Sequence, residues 1–404
     1  MTDFRLLATG MSLSWLGNGF QTVALAVAVL VARGGAGDLG LVLATSILAM
    51  LVCTLFGGVW ADRVQPQRVM VLSDGIRFAA TAAIAVMFGT GTYHLPVLCA
   101  LAAVSAGAGA FFEPAMTALK PMLVAAGRRQ RANAVLSLLK TVCSVIGPAL
   151  GGLTVAGFGA TAGFAVNAAS FVASLVAALL IRARAPRAAR AGMLHELGAG
   201  WREIRQRDWL LTSVLAATVY HVANGVVLVL AQVVAIEQLG GARSAGFIAA
   251  AEGLGGVLGA TVAMRWRPVR LLRAGGLTLL MMPLWALAYV WPGTLSAVLA
   301  GAMIGYAGLT FFAVAWDTAL QDHIPHQVLA RVSSWDLLTS FLAMPAGNAL
   351  AGPLSEAFGI DRVLVVCAAV LFAAGLAPLA LRSTRHLTRG TEPAVPPGAP
   401  VPVG

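Results

Sequence analysis

The residues of this sequence that could do chemistry are a few acids placed inside long apolar stretches. Glu252 lies about eight residues into one stretch, and Glu113, Asp317 and Asp336 lie in others. A charge in hydrocarbon costs about 2.5–3.5 kcal/mol on insertion scales, so each acid requires a function or a partner. A carboxyl group in an apolar setting can bind and release a proton near neutral pH. We therefore predict a proton site at Glu252, or second at Glu113; the alternative for each is a fixed ion pair.

Two pairs of polar residues are spaced to share a helix face. Asn18 and Gln21 are three residues apart, and so are His221 and Asn224, about 200 residues later. Side chains three apart on a helix are neighbours, so each pair can face one chamber and bind a ligand. Polar side chains also join membrane helices to one another by hydrogen bonds. The spacing is compatible with both interpretations.

Two basic residues lie about two turns inside apolar stretches and require anions. We expect Arg77 to pair with Asp62, Asp74 or Glu113, and we expect Lys140 to have an acidic partner as well. The four cysteines all lie in apolar stretches without metal-ligand spacing, which is typical of small buried side chains.

The elements that must position these side chains follow from composition. Of the 404 residues, 59% are hydrophobic and 11% are charged, whereas soluble domains are about 45–50% apolar and about 25% charged. So few charges cannot cover a soluble surface, which excludes a soluble enzyme, a secreted disulfide scaffold and a disordered chain. About 20 apolar residues cross a bilayer as a helix. We predict an all-α membrane protein whose twelve transmembrane helices lie near 7–31, 39–61, 69–91, 95–118, 133–157, 161–181, 210–236, 244–264, 271–291, 294–320, 332–355 and 362–381.

The basic residues predict the orientation of these helices. Of the 27 lysines and arginines, 21 lie on one side of the predicted membrane, and only Arg33, Arg243 and Arg362 lie on the other. Because cytoplasmic loops carry the excess of Lys and Arg, we expect both termini in the cytoplasm of a cell membrane protein. This bias accounts for the net charge of +11 without nucleic acid as a partner.

The chain divides into two similar halves. We predict a six-helix bundle over 1–182, a cytoplasmic connector over 183–209, a second bundle over 210–385 and a disordered Pro-rich tail over 386–404. The halves match at a shift near 200 residues: Phe111-Phe112 recurs as Phe311-Phe312, and 147–152 resembles 347–352. Duplicated parallel halves around a midplane site are a transporter architecture.

The loop after the second predicted helix resembles a signature of the major facilitator superfamily. Gly58, Asp62 and Arg63 match the pattern G-x-x-x-D-R-x-G-R-R/K in place. Residues 65–67 replace its second glycine and the start of its basic run, and Arg68 comes one place late. In the family, the aspartate contacts the start of the eleventh helix and is released when access changes. The resemblance therefore implies a gating role for Gly58, Asp62, Arg63 and Arg68.

A second segment is similar to the G-P-x-x-G-G motif of exporters in this superfamily. It contains Gly147, Pro148, Gly151 and Gly152. Proline removes a helical hydrogen bond, and glycine permits close helix approach, so the resemblance implies a contact that limits leak; the alternative is ordinary helix packing.

Further segments resemble the drug- and siderophore-exporter branch of proton antiporters, which includes macrolide-efflux and enterobactin-export permeases. These segments are Phe112–Ala115, Arg131–Ala134, Asn167–Phe171, Gln321–Pro325 and Leu329–Val332.

The resemblance implies two pseudo-symmetric six-helix bundles around a cavity lined by the first, fourth, seventh and tenth helices. The residues of this sequence that would line the substrate cavity are Asn18, Gln21, Phe111, Glu113, His221, Asn224, Trp316 and Asp317. Asn18 stands where many relatives carry an acid, so proton coupling by that route is in doubt.

The implied function is the export of a small amphipathic compound, such as a drug, antibiotic or siderophore-like metabolite, in exchange for protons by alternating access. An importer or a lipid-moving permease on the same fold is the nearest alternative, because a fold does not fix direction. An integral-membrane enzyme is the alternative of a different class, but the sequence has no P-loop, H-E-x-x-H or G-x-S-x-G pattern. We expect no cofactor, and we expect a monomer whose partners are the substrate, protons and the bilayer.

Overall fold

Long helices account for almost all of the described chain. The computed structural model describes residues 2–32, 34–61, 65–124, 128–181, 201–266, 268–290, 294–324 and 326–388. The spans are α1 Thr2–Val31, α2 Ala36–Ala61, α3 Pro66–Gly89, α4 Leu95–Leu123, α5 Arg129–Phe158, α6 Ala160–Leu180, α7 Asp208–Glu237, α8 Ala242–Arg265, α9 Leu271–Leu287, α10 Leu295–His323, α11 His326–Phe358 and α12 Ile360–Ala380. A short α13 follows at Arg382–Arg385.

The prediction of twelve membrane-crossing helices is confirmed, with differences at their ends. Ten of the described helices are individually long and apolar enough to cross a bilayer, and α11, at 33 residues, also has the length to do so. The predicted ninth span, 271–291, is wrong in one respect: α9 is interrupted between Leu271–Leu279 and Met282–Leu287. Pro283 at the start of the second piece explains the interruption, because proline cannot donate the hydrogen bond that would continue the first piece.

Both halves have the same internal packing. In the N-terminal half α1 packs on α5 and α6, α2 packs on α4, and α3 packs on α4 and α6. In the C-terminal half α7 packs on α11 and α12, α8 packs on α10, and α9 packs on α10 and α12. Adding six to both helix numbers of each N-terminal pair gives a C-terminal pair. The predicted duplication therefore extends to three-dimensional packing.

The repeat is also visible in a pair of tight turns. Gly159 alone joins α5 to α6 with φ 81°, and Gly359 alone joins α11 to α12 with φ 82°. A left-handed backbone conformation costs residues other than glycine free energy, which explains why the same residue type stands at both turns. An even number of spans places both ends of the chain on one side, here called the terminal side, and these two turns on the other, here called the far side.

The two halves meet through small residues near the far side. Helix α5 packs on α8, and the equivalent pair, α11 on α2, forms the other contact. A methyl group on Gly152 would lie 2.6 Å from the carbonyl oxygen of Ala242 and 2.8 Å from the Cα of Gly246. Gly352, at the equivalent position of α11, lies against Gly37 of α2. The backbones therefore approach more closely than any side chain would allow.

A hydrogen bond fixes the far end of α2, which takes part in this contact. The Tyr93 hydroxyl, in the loop before α4, donates to Asp38 Oδ2 at 2.8 Å. Burial, together with this bond, raises the pKa of Tyr93 above its ordinary value. The tyrosine therefore remains a neutral donor at physiological pH.

Part of the connector and almost all of the tail lie outside the described residues. The predictions for 183–200 and for 389–404 fall there. Residues 201–205 form a helical turn, and α7 begins at Asp208. Leu387, which the prediction assigned to the tail, packs against the C-terminal half.

The α5–α8 contact predicts the effect of a single methyl group. Gly152→Ala should lower the apparent melting temperature of the purified protein, because overpacking costs about 1–3 kcal/mol. Gly157→Ala, on the same helix with no atoms close to the added methyl, is the matched control and should leave melting unchanged or raise it slightly. Equal melting of the two variants would contradict the close approach of α5 and α8.

Candidate transport site

A groove of about 430 Å³ lies on the terminal side of the N-terminal half. It lies between α1, α4 and α5, and we call it the N-groove. Its lining mixes large apolar side chains with charged ones. The lining residues are Phe4, Met11, Trp15, Glu113, Met116, Thr117, Lys120, Val124, Arg129, Ala132, Asn133, Leu136, Ser137 and Lys140.

The charged residues of the N-groove include one of the predicted acids. Lys140 Nζ lies 3.9 Å from Glu113 Oε1, which gives Lys140 the acidic partner that the sequence predicts. The side chains of Lys140 and Glu113 are 63% and 53% exposed, so Lys140 is not the buried charge that its position suggested. The ammonium group also lies 5.9 Å from the ring centre of Trp15, within reach of a cation–π contact.

Arg77 lies in a buried polar cluster inside the N-terminal half. Of its three predicted partners, Asp74 lies close, with Arg77 Nη1 3.4 Å from Asp74 Oδ1. Arg77 Nη2 donates to Asn18 Oδ1 at 3.0 Å, and the guanidinium lies 4.0 Å from the ring centre of Phe171. The Asp74 side chain is fully buried. The cluster therefore joins α1, α3 and α6.

The other amide of α1 is also bonded within its own half. Asn167 Nδ2 on α6 donates to Gln21 Oε1. Asn18 and Gln21 thus make helix–helix hydrogen bonds, as one of the two interpretations of the sequence expected. Both side chains remain partly exposed, so a substrate role for them stays a prediction.

Glu252 lies inside the C-terminal half rather than in a cavity between the halves. Trp285 Nε1 on α9 donates to Glu252 Oε1 at 3.1 Å. Trp285 packs edge-on against Tyr306 of α10, with ring centres 5.5 Å apart. The carboxyl lines a pocket of about 20 Å³ with Gln232 and Tyr289, which is room for about one water molecule. Glu252, the predicted proton site, therefore accepts a hydrogen bond from Trp285 and lies beside a pocket about the size of one water molecule.

Of the remaining predicted cavity residues, two line one crevice and the other three do not. His221 and Trp316 line a narrow crevice of about 70 Å³ inside the C-terminal half. Trp316 is 8% exposed, and its Nε1 donates to Asp336 Oδ2 at 2.8 Å. Asp317 is exposed on the next position of α10.

Asn224 and Phe111 do not line the N-groove. Asn224 is 9% exposed, and its Oδ1 accepts no hydrogen bond from the described residues. Phe111 is half-buried on α4. Of the eight residues expected to share one cavity, only Glu113 lines the N-groove, so the cavity assignment of the others stays a prediction.

The exporter-like motif divides its contacts between two helices. Gly147 and Gly151 face α1 of their own half, where a methyl on Gly151 would lie 2.7 Å from the Cα of Phe20. Gly152 and the carbonyl of Pro148 face Gly246 of the other half. Proline leaves the Ser144 carbonyl without its helical partner, and Gly253 of α8 packs against that oxygen. One short segment thus contacts both halves at once.

The loop motif is described only in part. Asp62 and Arg63 lie outside the described residues. Gly58 lies in the last turn of α2, and Arg68 is exposed in the first turn of α3. The proposed gating role of all four residues stays a prediction.

Sequence reasoning missed the residues that make the N-groove a cavity. Trp15, Met11 and Met116 form its apolar wall, and Lys120 adds a cation. A signal was present, because Lys120 and Lys140 are the only lysines in the chain and both lie towards the terminal side of predicted helices.

Comparison with known proteins identifies the family. The family model described as Major Facilitator Superfamily matches residues 7–347. The chain belongs to this superfamily and is a multi-pass membrane transporter. The multidrug efflux pump Tap of Mycolicibacterium fortuitum is 30% identical over 395 residues, which covers 93% of this chain and 95% of that protein.

Other relatives and solved structures agree with this assignment. Tap of Mycobacterium tuberculosis H37Rv is 26% identical, covering 95% of this chain and 93% of that protein. A mutant of the nucleoside transporter NupG superimposes with a TM-score of 0.79 at 11% identity, covering 94% of this chain and 99% of that chain. A bacterial homologue of the lysosomal transporter Spinster, in an inward-facing conformation, gives 0.75 at 15% identity and covers 95% and 97%. These structures confirm the fold.

The buried cluster predicts a large effect on stability. Asp74→Ala should sharply reduce the yield of folded protein, because removing one partner of a buried ion pair costs about 3–5 kcal/mol. The double variant D74A/R77M should recover part of the loss, because it also removes the unpaired charge. Asp361→Ala, at an exposed acid on α12, is the control. The measurement is the monodisperse fraction in size-exclusion chromatography, and D74A behaving like D361A would contradict a structural role for the pair.

Proposed function

We propose that this transporter exports a small amphipathic organic compound in exchange for protons, by alternating access. The observation that carries the proposal is that the halves pack tightly at the far side while the N-groove lies at the terminal side. Such an arrangement suits a carrier ready to take up substrate from the terminal side.

The charge pattern supports placing the terminal side in the cytoplasm. Basic residues on the terminal side are exposed in the described part of the chain, among them Arg68, Arg131 and Arg265. Cytoplasmic loops of membrane proteins carry this excess. With that orientation, the N-groove takes substrate from the cytoplasm, and release on the far side is export from the cell.

The relatives support export over import. Tap is named a multidrug efflux pump, and it matches this chain over nearly its full length. The double-sided contact of Gly147–Gly152 also suits an exporter, because it seals α5 against α1 and α8 where an open path would allow leak. A carrier of this kind works as a monomer with substrate, protons and the bilayer as its partners.

Glu252 is the better candidate for the coupled proton. Its carboxyl lies beside a water-sized polar pocket and accepts a hydrogen bond from Trp285. Glu113 instead faces Lys140 across 3.9 Å with both side chains exposed. A proton on Glu252 would neutralise a charge inside the C-terminal half and change how α8 packs on α9, while α8 also contacts α5 of the other half.

The direction of transport is the first test of this proposal. Cells that overproduce the protein should accumulate less of a fluorescent lipophilic dye than deletion cells, and a protonophore should remove the difference. A matched strain carrying Gly157→Ala controls for expression. Greater dye accumulation in the overproducing strain would identify an importer.

The role of Glu252 predicts a loss of coupling without a loss of folding. Glu252→Gln keeps a side chain that accepts the Trp285 hydrogen bond but cannot lose a proton, so a proton gradient should no longer drive dye transport in inverted vesicles. Glu237→Gln, at an exposed acid at the end of α7, should transport normally. Unchanged gradient-driven transport in E252Q and in the double variant E113Q/E252Q would exclude both predicted acids.

A further inference from the structure

The repeat allows the N-groove to be compared with the same place in the other half. At the shift of 200 residues, Met116 corresponds to Trp316, Lys120 to Leu320, Arg129 to Leu329 and Ala132 to Val332. Both sets of residues lie on the terminal side of the fourth and fifth helices of their half. They form the same face of two equivalent helix pairs.

In the C-terminal half this face is covered by large side chains. Ile204, before α7, is completely buried there, packed with Leu320 and Val332. Trp201 packs on Trp335 of α11 with ring centres 5.2 Å apart. Trp209 of α7 packs on Trp316 at 6.0 Å. The geometry of this helix arrangement therefore accommodates indole rings.

In the N-terminal half the equivalent space is the open N-groove. Phe4, which corresponds to Ile204 at this shift, packs beside the groove, yet a cavity of about 430 Å³ remains. Its apolar wall is ready for a flat ring, because Trp15 is half-buried and Met11 and Met116 are buried beside it. Apolar and aromatic side chains that line a concave site are typical of ligand binding.

The charges of the N-groove differ from those of its counterpart. Where the C-terminal half has Leu320 and Leu329, the N-groove has Lys120 and Arg129, and Lys140 adds a third cation. Glu113 is the one acid of the lining. Lys140 pairs with Glu113 at 3.9 Å, and Lys120 on α4 is a further cation of the lining.

We propose that the N-groove binds an amphipathic molecule that combines an aromatic ring with an anionic group, such as a carboxylate. The ring lies against Trp15, Met11 and Met116, in the way that the indoles fill the other half. The anion lies between Lys120 and Lys140, where charge-assisted hydrogen bonds are strong. This assignment rests on the proposed function, because it makes the aromatic anion the substrate class that enters from the terminal side.

The test is direct binding, which requires neither transport nor a proton gradient. The probe is 2-naphthoate, added to the purified full chain in lipid nanodiscs and measured by equilibrium dialysis against empty nanodiscs. The cation 2-naphthylmethylamine has the same ring and controls for partition into lipid. We expect 2-naphthoate to bind at least about ten-fold more tightly than the amine, and we expect added salt to weaken its binding.

Variants locate the site. K120Q/K140Q should weaken 2-naphthoate binding about ten-fold or more, and K120R/K140R should retain it. R382Q/R385Q removes two exposed terminal-side charges outside the groove and should bind like the unchanged chain. Trp15→Leu should weaken both ligands, because it removes the aromatic wall.

Three outcomes would overturn the assignment. They are equal binding of the acid and the amine, binding unaffected by K120Q/K140Q, and an equal loss in R382Q/R385Q. Each can occur whether or not the protein exports a dye, and tight naphthoate binding can occur in a protein that fails the export test. Failure of this assignment is therefore distinguishable from failure of the proposed function.

Discussion

The structure depends on one constraint, which is that hydrocarbon offers no water to satisfy a backbone N–H or C=O group. Every span must therefore be helical, and helices must bind one another without the hydrophobic effect that assembles soluble proteins. Close van der Waals contact takes its place, and it requires residues without bulky side chains where backbones meet. The glycines of α5 and α8 meet this requirement between the halves, and those of α1 and α5 meet it within one half. Polar side chains inside the bundle then pair with each other, as Arg77 does with Asp74 and Asn18.

Duplication gives the two halves the same helix arrangement, and substitutions give them different side chains. The helix pairs that pack in one half pack in the other, but the polar groups they carry differ. The N-terminal half buries the ion pair of Arg77 and Asp74, whereas in the C-terminal half Trp285 donates a hydrogen bond to the carboxyl group of Glu252. On the terminal side, one half leaves a charged groove open and the other fills the same place with indoles. The two halves therefore share one helix arrangement but differ in the polar groups that could bind a ligand.

The fold was predictable from sequence, because length, apolar runs and the basic bias are properties of whole segments. The break in α9 was harder, since Pro283 lies inside a run that is apolar throughout. The geometry of the site was harder to predict. The three-residue spacing puts Asn18 and Gln21 on one side of α1, but it does not show that Arg77 and Asn167 lie near enough to form hydrogen bonds with them. The N-groove was the least accessible from sequence, because a cavity exists only where no side chain fills the space between helices. Trp201 and Ile204 look like ordinary apolar residues until their packing shows which space they occupy.

A buried amide at the contact between the halves opposes the tight packing there. Asn348 of α11 is completely buried between Gly225 of α7 and Gly40 of α2, and neither its Nδ2 nor its Oδ1 has a partner among the described residues. A buried polar group left unsatisfied costs about 1–3 kcal/mol. The equivalent position of α5 is Pro148, whose side chain carries no polar atom. The side-chain oxygen of Asn348 faces Gly225 of α7, whereas its backbone carbonyl faces Gly40 of α2, so the residue that makes the close contact between the halves also carries this cost. Two conformations of a protein commonly differ by a few kcal/mol, and the cost of one unsatisfied amide is of that size.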